Sequence, residues 1–279
     1  MRANLGALVR LALAEDVGPG DWSTDWIVES GRQGRATIVA KEDVVIAGVE
    51  AAVAVFEAVD SALTAGVVRG DGIRAKAGEV VLDVTGPVAG ILTGERTALN
   101  FLGRLSGIAT LTRAYVDAVL GTGARVVDTR KTTPGWRQLE KAAVRSGGGL
   151  NHRMGLYDMV MIKDNHIVAA GGITAAVSQV HARNEAGLPV EVEVRSLEEL
   201  EEALGLEVER ILLDNMDLGM LRAAVERTHR LGSRRPDLEA SGNVALDTIR
   251  DVAETGVDLV SVGALTHSAP IADLSLQMA

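Results

Sequence analysis

A cluster of basic residues lies in the middle of an otherwise acidic chain. Residues 128–163 hold seven lysines and arginines against three carboxylates, a net charge of +4, whereas the rest of the 279-residue chain carries −14. The seven cations are Arg130, Lys131, Arg137, Lys141, Arg145, Arg153 and Lys163. A local excess of positive charge attracts anionic ligands. Because the acidic remainder would repel a long nucleic acid, we expect a small, highly charged anion.

Five basic residues lie where binding groups commonly gather. Arg130 and Lys131 follow an apolar run that predicts a strand, and Lys163 ends another. His152 and Arg153 follow three glycines in a predicted loop. Loops at strand ends often carry binding residues. The other three cations recur every four residues, so an exposed helix face explains them about as well as a ligand site does.

Composition narrows the class of protein. The chain is 47% hydrophobic, enough for one large domain or two smaller ones, and it contains no cysteine. Disulfides and thiolate zinc sites are therefore excluded, and a reducing cytoplasm is the expected location. Charges interrupt the N-terminal apolar run, which predicts an amphipathic helix and not a signal peptide. The most apolar stretch, residues 44–59, holds two glutamates, so we expect no membrane span.

The first part of the chain predicts a small α+β module. Helices are predicted over residues 3–15 and 49–59. Strands are predicted over 36–40, 44–47, 67–76 and 80–84. A further helical segment is predicted from about residue 93, where Thr93 can cap it, to residue 120. Its glycines, between residues 103 and 107, predict a break.

Beyond residue 121, short apolar stretches alternate with amphipathic ones, which predicts a parallel sheet. Six strands are predicted, over 125–127, 159–162, 190–194, 210–213, 238–240 and 259–262. Helices between them are predicted over 135–145, 173–184, 196–204, 218–230 and 245–254. Six such units favour closure towards a barrel, whose site would lie at the carboxyl ends of the strands.

Each predicted strand ends in polar or glycine residues, which supports a site at these ends. The residues are Asp128 to Lys131, Lys163 to Asn165, Glu193, Asp214 and Asn215, Ser241 to Asn243, and Val262 to Ala264. Glu191 and Glu193 point the same way from one strand, although a strand buried on both faces should be apolar. These carboxylates need cationic partners, which Lys163 and the cations of residues 130–153 can supply. An internal salt-bridge network without a ligand is the alternative.

The last two strand ends are predicted to bind phosphate. Residues 241–243 and 262–264 each contain a glycine and each precede a predicted helix. Glycine lets main-chain N–H groups approach a ligand, and a helix N-terminus favours an anion. Loops after the final barrel strands commonly hold a phosphate. Carboxylates set between cations suit ribose hydroxyls and Mg²⁺, which shares the phosphate oxygens of a substrate.

The long basic segment closely resembles a known family. Residues 128–166 read DTRKTTPGWRQLEKAAVRSGGGLNHRMGLYDMVMIKDNH, which is similar to the quinolinate phosphoribosyltransferases, the carboxylating nicotinate-nucleotide pyrophosphorylases. Four more segments resemble this family in its order: GERTALNFLGRLSGIAT at 94–110, VEVEV at 190–194, LLDNM at 212–216 and EASGNV at 239–244. The resemblance covers essentially the whole chain.

The resemblance implies a fold and a reaction. The fold is an α/β sandwich domain at residues 1–105, followed by an incomplete (β/α) barrel with parallel strands at residues 106–264. The tail, residues 265–279, can pack back on the first domain. The reaction transfers phosphoribose from phosphoribosyl pyrophosphate (PRPP) to quinolinate with decarboxylation, giving nicotinate mononucleotide, pyrophosphate and CO₂ for NAD biosynthesis. Mg²⁺ is the implied cofactor, and a homo-oligomer, a dimer or a hexamer, is the implied assembly.

The resemblance also implies residue roles, carried over position by position. The quinolinate carboxylates would be held by Arg130, His152, Arg153 and Lys163, beside the further substrate-binding residue Thr129. Lys131 would meet pyrophosphate, and Glu193 and Asp214 would bind ribose hydroxyls and Mg²⁺. These last three residues and Lys163 are the implied catalytic set. The 5′-phosphate would be bound by Ser241, Gly242, Asn243, Val262, Gly263 and Ala264. Arg96 would reach the site of a neighbouring subunit.

Two other interpretations stay open from the residues alone. A paralogue with another acceptor, or a salvage enzyme acting on nicotinate, could keep the same cations, although four carboxylate-binding groups favour a diacid. A non-catalytic sensor could bind the same anions, but it has less need of Lys131 and of the metal-competent carboxylates Glu193 and Asp214. Turnover of PRPP and quinolinate with Mg²⁺ separates these three hypotheses.

Overall fold

The computed structural model describes the chain from residue 2, and its side chains from residue 5, to residue 279. The chain divides into two compact units. The first comprises Met1–Arg113, Thr132–Gly148 and Leu265–Ala279, and the second comprises Ala114–Lys131 and Gly149–Ala264. The sequence-based boundary at residues 105 and 106 therefore falls inside the first unit, and residues 132–148 group with that unit and not with the barrel.

The first unit is built around antiparallel strands. Its strands are β1 (Gln33–Ala40), β2 (Val44–Val45), β3 (Thr64–Val67), β4 (Arg74–Ala75), β5 (Val80–Pro87) and β12 (Leu274–Met278). Its helices are α1 (Arg2–Val17), α2 (Trp22–Ile27), α3 (Val49–Val59), the greater part of α4 (Val88–Ala118), and α5 (Arg137–Ser146). The sheet order is β12-β1-β5-β3, with β2 and β4 as a separate pair. Apolar side chains from α1, α3, α4 and the sheet form its core.

Two features of this unit differ from the sequence prediction. The strand-like piece over residues 67–76, in which Asp71 and Gly72 are a turn signal, contains the end of β3 and all of β4, and the chain turns between them at Gly72, whose φ of 84° favours a residue without a Cβ. The strand β12 was not predicted at all. It pairs antiparallel with β1, with Ala36 opposite Met278. Because the two strands are more than 200 residues apart in sequence, no turn between adjacent strands could indicate the pairing.

Residues 132–148 join the first unit through buried contacts. The ring of Trp136 stacks on that of Phe101, with 4.6 Å between ring centroids. Glu140 is fully buried and accepts a hydrogen bond from Arg104 at 2.9 Å, as a buried carboxylate requires. Lys141 on the same helix is also buried, which contradicts the exposed-face interpretation for that residue.

Helix α4 passes without a break through Gly103 and Gly107, where the sequence predicted one. A Cβ at Gly103 would lie 2.9 Å from the side chain of Ile271, and a Cβ at Gly107 would overlap the carbonyl oxygen of Pro270. The glycines therefore allow the C-terminal segment to approach the helix, which offsets their weak helix propensity. The helix also begins at Val88 rather than near residue 93.

We expect Gly107→Ala to destabilise the protein by about 1–3 kcal/mol, the usual cost of forcing an extra carbon into a packed site. The measurement is the free energy of unfolding in urea. Asn100→Ala is the matched control, because Asn100 lies on the same helix and is exposed. Equal stability of the two variants would contradict the close approach of the tail.

The second unit contains six parallel strands. They are β6 (Arg125–Val127), β7 (Val160–Ile162), β8 (Val190–Val194), β9 (Arg210–Asp214), β10 (Asp237–Ser241) and β11 (Leu259–Ser261). The helices are α6 (Asp164–Ala170), α7 (Ile173–His181), α8 (Leu197–Leu204), α9 (Leu218–His229) and α10 (Ile249–Ala253), and the short α11 (Ala264–His267) follows. The order β6-β11-β10-β9-β8-β7 is the circular order of an α/β barrel that is open between β6 and β7. The predicted fold class is confirmed.

No helix in residues 2–279 is long and apolar enough to cross a membrane.

Candidate active site

A cavity of about 420 Å³ opens at the carboxyl ends of the parallel strands. Its lining consists of Thr129, Arg130, Lys131, His152, Arg153, Met161, Lys163, Glu193, Leu212, Asp214, Glu239, Ser241 and Ser261. The sequence had singled out all of these as site residues except Met161, Leu212, Glu239 and Ser261. A larger cleft of about 670 Å³ beside β7 and α7 is lined mainly by apolar residues and lacks this convergence of charges. The smaller cavity is therefore the candidate active site.

One side of the cavity is positively charged. Arg153 is nine-tenths buried and donates from Nη1 to the main-chain oxygen of Met159 at 3.3 Å. Its burial, together with the nearby charge of Arg130, lowers the pKa of its guanidinium. A desolvated cation beside a second cation is stabilised by an anion, so this side of the cavity suits a negatively charged ligand.

Lys163 connects the cationic side to a carboxylate. It follows β7, and its Nζ lies 2.7 Å from Oε2 of Glu193 on β8. The parallel pairing of Ile162 with Val192 brings the two residues that follow into reach. Glu193 is largely buried and Lys163 is half-exposed, so the ammonium group can contact both Glu193 and a ligand in the cavity.

Arg195, which the sequence analysis missed, lies among three carboxylates. Its guanidinium is 3.0 Å from Asp164, 3.3 Å from Asp214 and 3.7 Å from Glu193. One cation is thus within 4 Å of both Glu193 and Asp214. Two carboxylates that share a cation in this way are also a suitable donor set for Mg²⁺. The position of Arg195, two residues after Glu193, is the sequence feature from which its place in the site could have been predicted.

A buried acidic cluster adjoins the cavity, whose lining includes His152 and Glu239. Nε2 of His152 is 3.0 Å from Oε2 of Glu191 and 3.4 Å from Oε2 of Glu239. Arg210 donates to Glu239 at 3.0 Å. Both glutamates are fully buried. Burial raises the pKa of Glu191, and although burial alone would lower the pKa of His152, the two glutamates raise it to about 9.

The other ring nitrogen of His152 is also engaged. Nδ1 accepts the main-chain N–H of Arg153 at 2.7 Å, so a second ring proton would have to displace this hydrogen bond. Nε2 is the ring nitrogen that faces the two glutamates.

Asp128 fixes the loop that carries His152. It is fully buried, and it accepts the main-chain N–H of His152 at 2.9 Å and the side-chain amide of Asn151 at 2.6 Å. The sequence analysis had counted Asp128 as a charge opposing the cations and as a residue at a strand end, without a role for its carboxylate. A carboxylate that ends the apolar run of β6 was the signal for this role.

The predicted phosphate loops are adjacent, but the expected helix N-termini differ. Strands β10 and β11 pair side by side, and Ser241 lines the cavity. Gly242 has a φ of 107°, and a Cβ there would overlap the side chain of Asn215. The regular helix begins at Ile249, one turn after residue 245, and Ile249 donates its main-chain N–H to Ala245 at 2.9 Å. Because this helix has five residues and starts one turn later than predicted, its dipole at residues 241–243 is small.

Residues 262–264 differ from the prediction as well. The main-chain N–H of Val262 donates to Val127 at 3.0 Å, so it is not available to a phosphate. Helix α11 does begin at Ala264, but it has four residues, so its dipole is small. Gly242, Asn243 and residues 262–264 do not belong to the cavity lining.

Arg96 is the remaining predicted site residue. It is exposed on α4 in the first unit, whereas every residue that lines the cavity belongs to the second unit. Because α4 begins at Val88, Arg96 lies beyond the first two turns, where the helix dipole has little effect on it.

An open α/β barrel with cations and carboxylates converging at its strand ends is typical of an enzyme that acts on small anionic molecules. Comparison with known proteins is more specific. The family model "Quinolinate phosphoribosyl transferase, N-terminal domain" matches residues 21–106, and the model for the C-terminal domain matches residues 108–277. The chain belongs to the quinolinate phosphoribosyltransferase family, which confirms the resemblance.

Individual relatives agree with this family. The chain is 47% identical to a probable nicotinate-nucleotide pyrophosphorylase (carboxylating) of Synechocystis, over 95% of this chain and 90% of that protein. It is 45% identical to the corresponding protein of Mycobacterium leprae, over 97% and 95% of the two chains. The structure of the nicotinate-nucleotide pyrophosphorylase from Francisella tularensis superposes with a TM-score of 0.94 at 36% identity, covering 100% of this chain and 97% of that one.

Proposed function

We propose that the protein uses this cavity to transfer phosphoribose from PRPP to the ring nitrogen of quinolinate, with loss of CO₂. The products are nicotinate mononucleotide and pyrophosphate, and the reaction belongs to NAD biosynthesis. The observation that carries this proposal is a single cavity at the strand ends that is lined by the cations Arg130, Arg153 and Lys163 together with the carboxylates Glu193 and Asp214. Family membership supports the same reaction, since the matched relatives are named carboxylating nicotinate-nucleotide pyrophosphorylases.

The cationic side suits the two carboxylates of quinolinate. Arg153 and Arg130 are close enough to lower the pKa of Arg153, and a dianion between them and Lys163 would relieve that repulsion. Charge-assisted hydrogen bonds from guanidinium groups are strong and directional, which also orients the pyridine ring. Thr129 and His152 also line the cavity.

The acidic side suits ribose hydroxyls and Mg²⁺. Glu193 and Asp214 already share one cation, Arg195, so the donor set accepts positive charge. When bound there, Mg²⁺ would stabilise negative charge on the pyrophosphate. Lys131 would contact the same leaving group, and Ser241 with its loop would contact the 5′-phosphate.

Alignment and charge stabilisation are the protein's main contributions to the reaction. The C1′–O bond of PRPP breaks, and its electron pair leaves with pyrophosphate. The ring nitrogen of quinolinate forms the new bond to C1′ with its own lone pair, so the ring becomes cationic. The bond to the 2-carboxyl group then breaks, and CO₂ leaves. The electron pair stays on the ring carbon, where the cationic ring stabilises it until a proton replaces it.

A turnover assay with PRPP, Mg²⁺ and quinolinate tests the proposal, with pyrophosphate and CO₂ release followed together. We expect both products in equal amounts. Pyrophosphate release with nicotinate instead, without CO₂, would show a salvage enzyme. Binding of both anions without turnover would show a sensor.

Asp214→Asn should raise the Mg²⁺ concentration needed for half-maximal PRPP binding by about ten- to hundredfold, because a charged partner is lost, and turnover should fall with it. The measurement is a Mg²⁺ titration of PRPP binding by calorimetry. Asp217→Asn is the control, because Asp217 is exposed and accepts from the N–H of Met220 at the start of α9. An unchanged Mg²⁺ dependence for Asp214→Asn would contradict the assignment.

The proposal includes a homo-oligomer in which Arg96 reaches a neighbouring subunit's site. Arg96 is exposed and lies outside the unit that forms the cavity. The first unit also exposes large apolar side chains on α2, with Trp22 54%, Trp26 80% and Ile27 81% exposed. Clustered apolar surface of this kind is typical of a protein interface. The absence of cysteine agrees with the cytoplasm as its location.

A further inference from the structure

Arg195 contacts both of the carboxylates that the proposed function assigns to Mg²⁺. Its Nη2 lies 3.7 Å from Oε1 of Glu193, and its Nε donates to Oδ2 of Asp214 at 3.3 Å. One guanidinium is therefore within ion-pair distance of both side chains. A divalent cation that binds the same oxygens must compete with this guanidinium, because like charges repel at such short distances.

Glu193 obtains its counter-charge from within the chain. Nζ of Lys163 lies 2.7 Å from Oε2 of Glu193, and Arg195 approaches the other oxygen, Oε1. The side chain of Glu193 is only 8% exposed, and a carboxylate so far from water needs a cationic partner. The two basic residues thus stabilise the ionised carboxylate that the metal would use.

Arg195 also has a partner outside the cavity. Its Nη2 donates to Oδ2 of Asp164 at 3.0 Å, the shortest of its three ion pairs. The side chains of Arg195 and Asp164 are 54% and 43% exposed, so solvent surrounds this pair. The main chain of Arg195 is fixed at the start of α8, because its N–H donates to Glu199 at 2.7 Å. The side chain can therefore turn from Glu193 and Asp214 towards Asp164 while its main chain stays in place.

We propose that Arg195 is a competing cation at the metal site: it neutralises Glu193 and Asp214 until Mg²⁺ enters with PRPP, and it then keeps only its ion pair with Asp164. Because the guanidinium must be displaced, the protein alone binds divalent cations weakly. The phosphate oxygens of PRPP provide further ligands for the metal, so the metal–PRPP complex displaces Arg195 more readily than the free ion does. This inference rests on the proposed function, in which Glu193 and Asp214 are the metal-binding carboxylates.

Removing the arginine should strengthen metal binding. Arg195→Ala should lower the dissociation constant of the free protein for Mn²⁺, a paramagnetic probe for Mg²⁺, by about three- to tenfold, the effect of losing two exposed ion pairs. The measurement is the electron paramagnetic resonance signal of unbound Mn²⁺, without PRPP. Arg222→Ala is the matched control, because Arg222 is exposed on α9 in the same unit, and it should change this constant by less than about twofold. A merely structural role for Arg195 predicts weaker binding, the opposite sign.

Further variants at the same position separate charge from folding. Arg195→Gln keeps a long polar side chain without the charge and should bind Mn²⁺ as tightly as Arg195→Ala does. Arg195→Lys keeps the charge and should lie closer to the wild type. In the Arg195→Ala background, Asp214→Asn should remove the gained affinity, because it takes away a carboxylate that the ion would use. The melting temperature of each variant shows that it is folded.

Asp164 provides a separate test of the displacement. Asp164→Asn removes the partner outside the cavity, so Arg195 stays with Glu193 and Asp214, and Mn²⁺ should bind about two- to fivefold more weakly. In the Arg195→Ala background, the same substitution should change the affinity by less than about twofold, because Asp164 acts through the arginine. Equal effects of Asp164→Asn in the two backgrounds would contradict the displacement.

Unchanged or weaker Mn²⁺ binding by both Arg195→Ala and Arg195→Gln would overturn the inference. Tighter binding that persists after Asp214→Asn would also overturn it, because the ion would then lie elsewhere. Turnover of PRPP and quinolinate by the wild type is measured separately. Lack of turnover contradicts the proposed function, whereas the Mn²⁺ affinities are measured without substrate, so the two failures are distinguishable.

Discussion

Lys163→Ala should weaken quinolinate binding by about ten- to hundredfold, the effect of losing one charged hydrogen bond, and should weaken PRPP binding much less. Lys163 is half-exposed at the cavity, and its Nζ is 2.7 Å from Glu193. Removing the ammonium group takes a cation from the diacid, but it leaves the carboxylate of Glu193 in place for the ribose. Arg195 remains 3.7 Å from that carboxylate, so the acidic side keeps a counter-charge. The measurement is the dissociation constant of each substrate by calorimetry.

The reciprocal variant makes this prediction sharper. Glu193→Gln removes the negative charge from the same ion pair, so it should weaken PRPP binding more than quinolinate binding. Lys41→Ala controls for the loss of an exposed lysine in the first unit and should change neither affinity. If Lys163→Ala and Glu193→Gln weaken both substrates equally, the ion pair maintains the cavity as a whole, and separate roles for its two members are excluded.

Much of the barrel was predictable because its signals are local. A strand buried on both faces gives an apolar run in the sequence, and a polar residue at its end gives an abrupt change of composition. This local contrast identified β6 and β8 with their observed bounds. It also identified Lys163, Glu193 and Asp214, since the carboxyl ends of neighbouring parallel strands must meet.

The residues that were missed depend on contacts between distant segments. Glu239 lies in an apolar strand exactly as Glu191 does, but its partner His152 is 87 residues away, and only the folded sheet brings them together. The continuity of α4 through Gly107 depends on Pro270, which sequence propensity cannot include. The helix predicted from residue 245 is regular only from Ile249, and Asn243 before it adopts a φ of 50°, a conformation rare for residues other than glycine.

A site shared between subunits would be revealed by mixing two defective chains. Arg96→Ala and Lys163→Ala each damage the site when present in every chain. If Arg96 acts across the interface of a two-fold dimer, a hybrid dimer has one site with both lesions and one site with neither. Half of the dimers are hybrids after random association of equal amounts, so activity should return to about a quarter of the wild-type level. If Arg96 acts in its own chain, each hybrid site carries one lesion and no activity returns.

The control places both substitutions in the same chain. In this mixture, activity is higher if Arg96 acts within its own chain than if it acts across the interface. Chains carrying both Arg96→Ala and Lys163→Ala are co-expressed in equal amounts with wild-type chains. When Arg96 acts across the interface, each hybrid site carries one lesion, so only the wild-type dimers are active, at about a quarter of full activity. When Arg96 acts within its chain, hybrids keep one intact site and activity is about half. In both mixtures, half of the chains have alanine at position 96 and half have alanine at position 163. A difference in activity between the mixtures therefore depends only on which chain supplies Arg96 to which cavity. Recovery in the first mixture with a quarter in the second establishes the shared site, and no recovery with a half in the second excludes it.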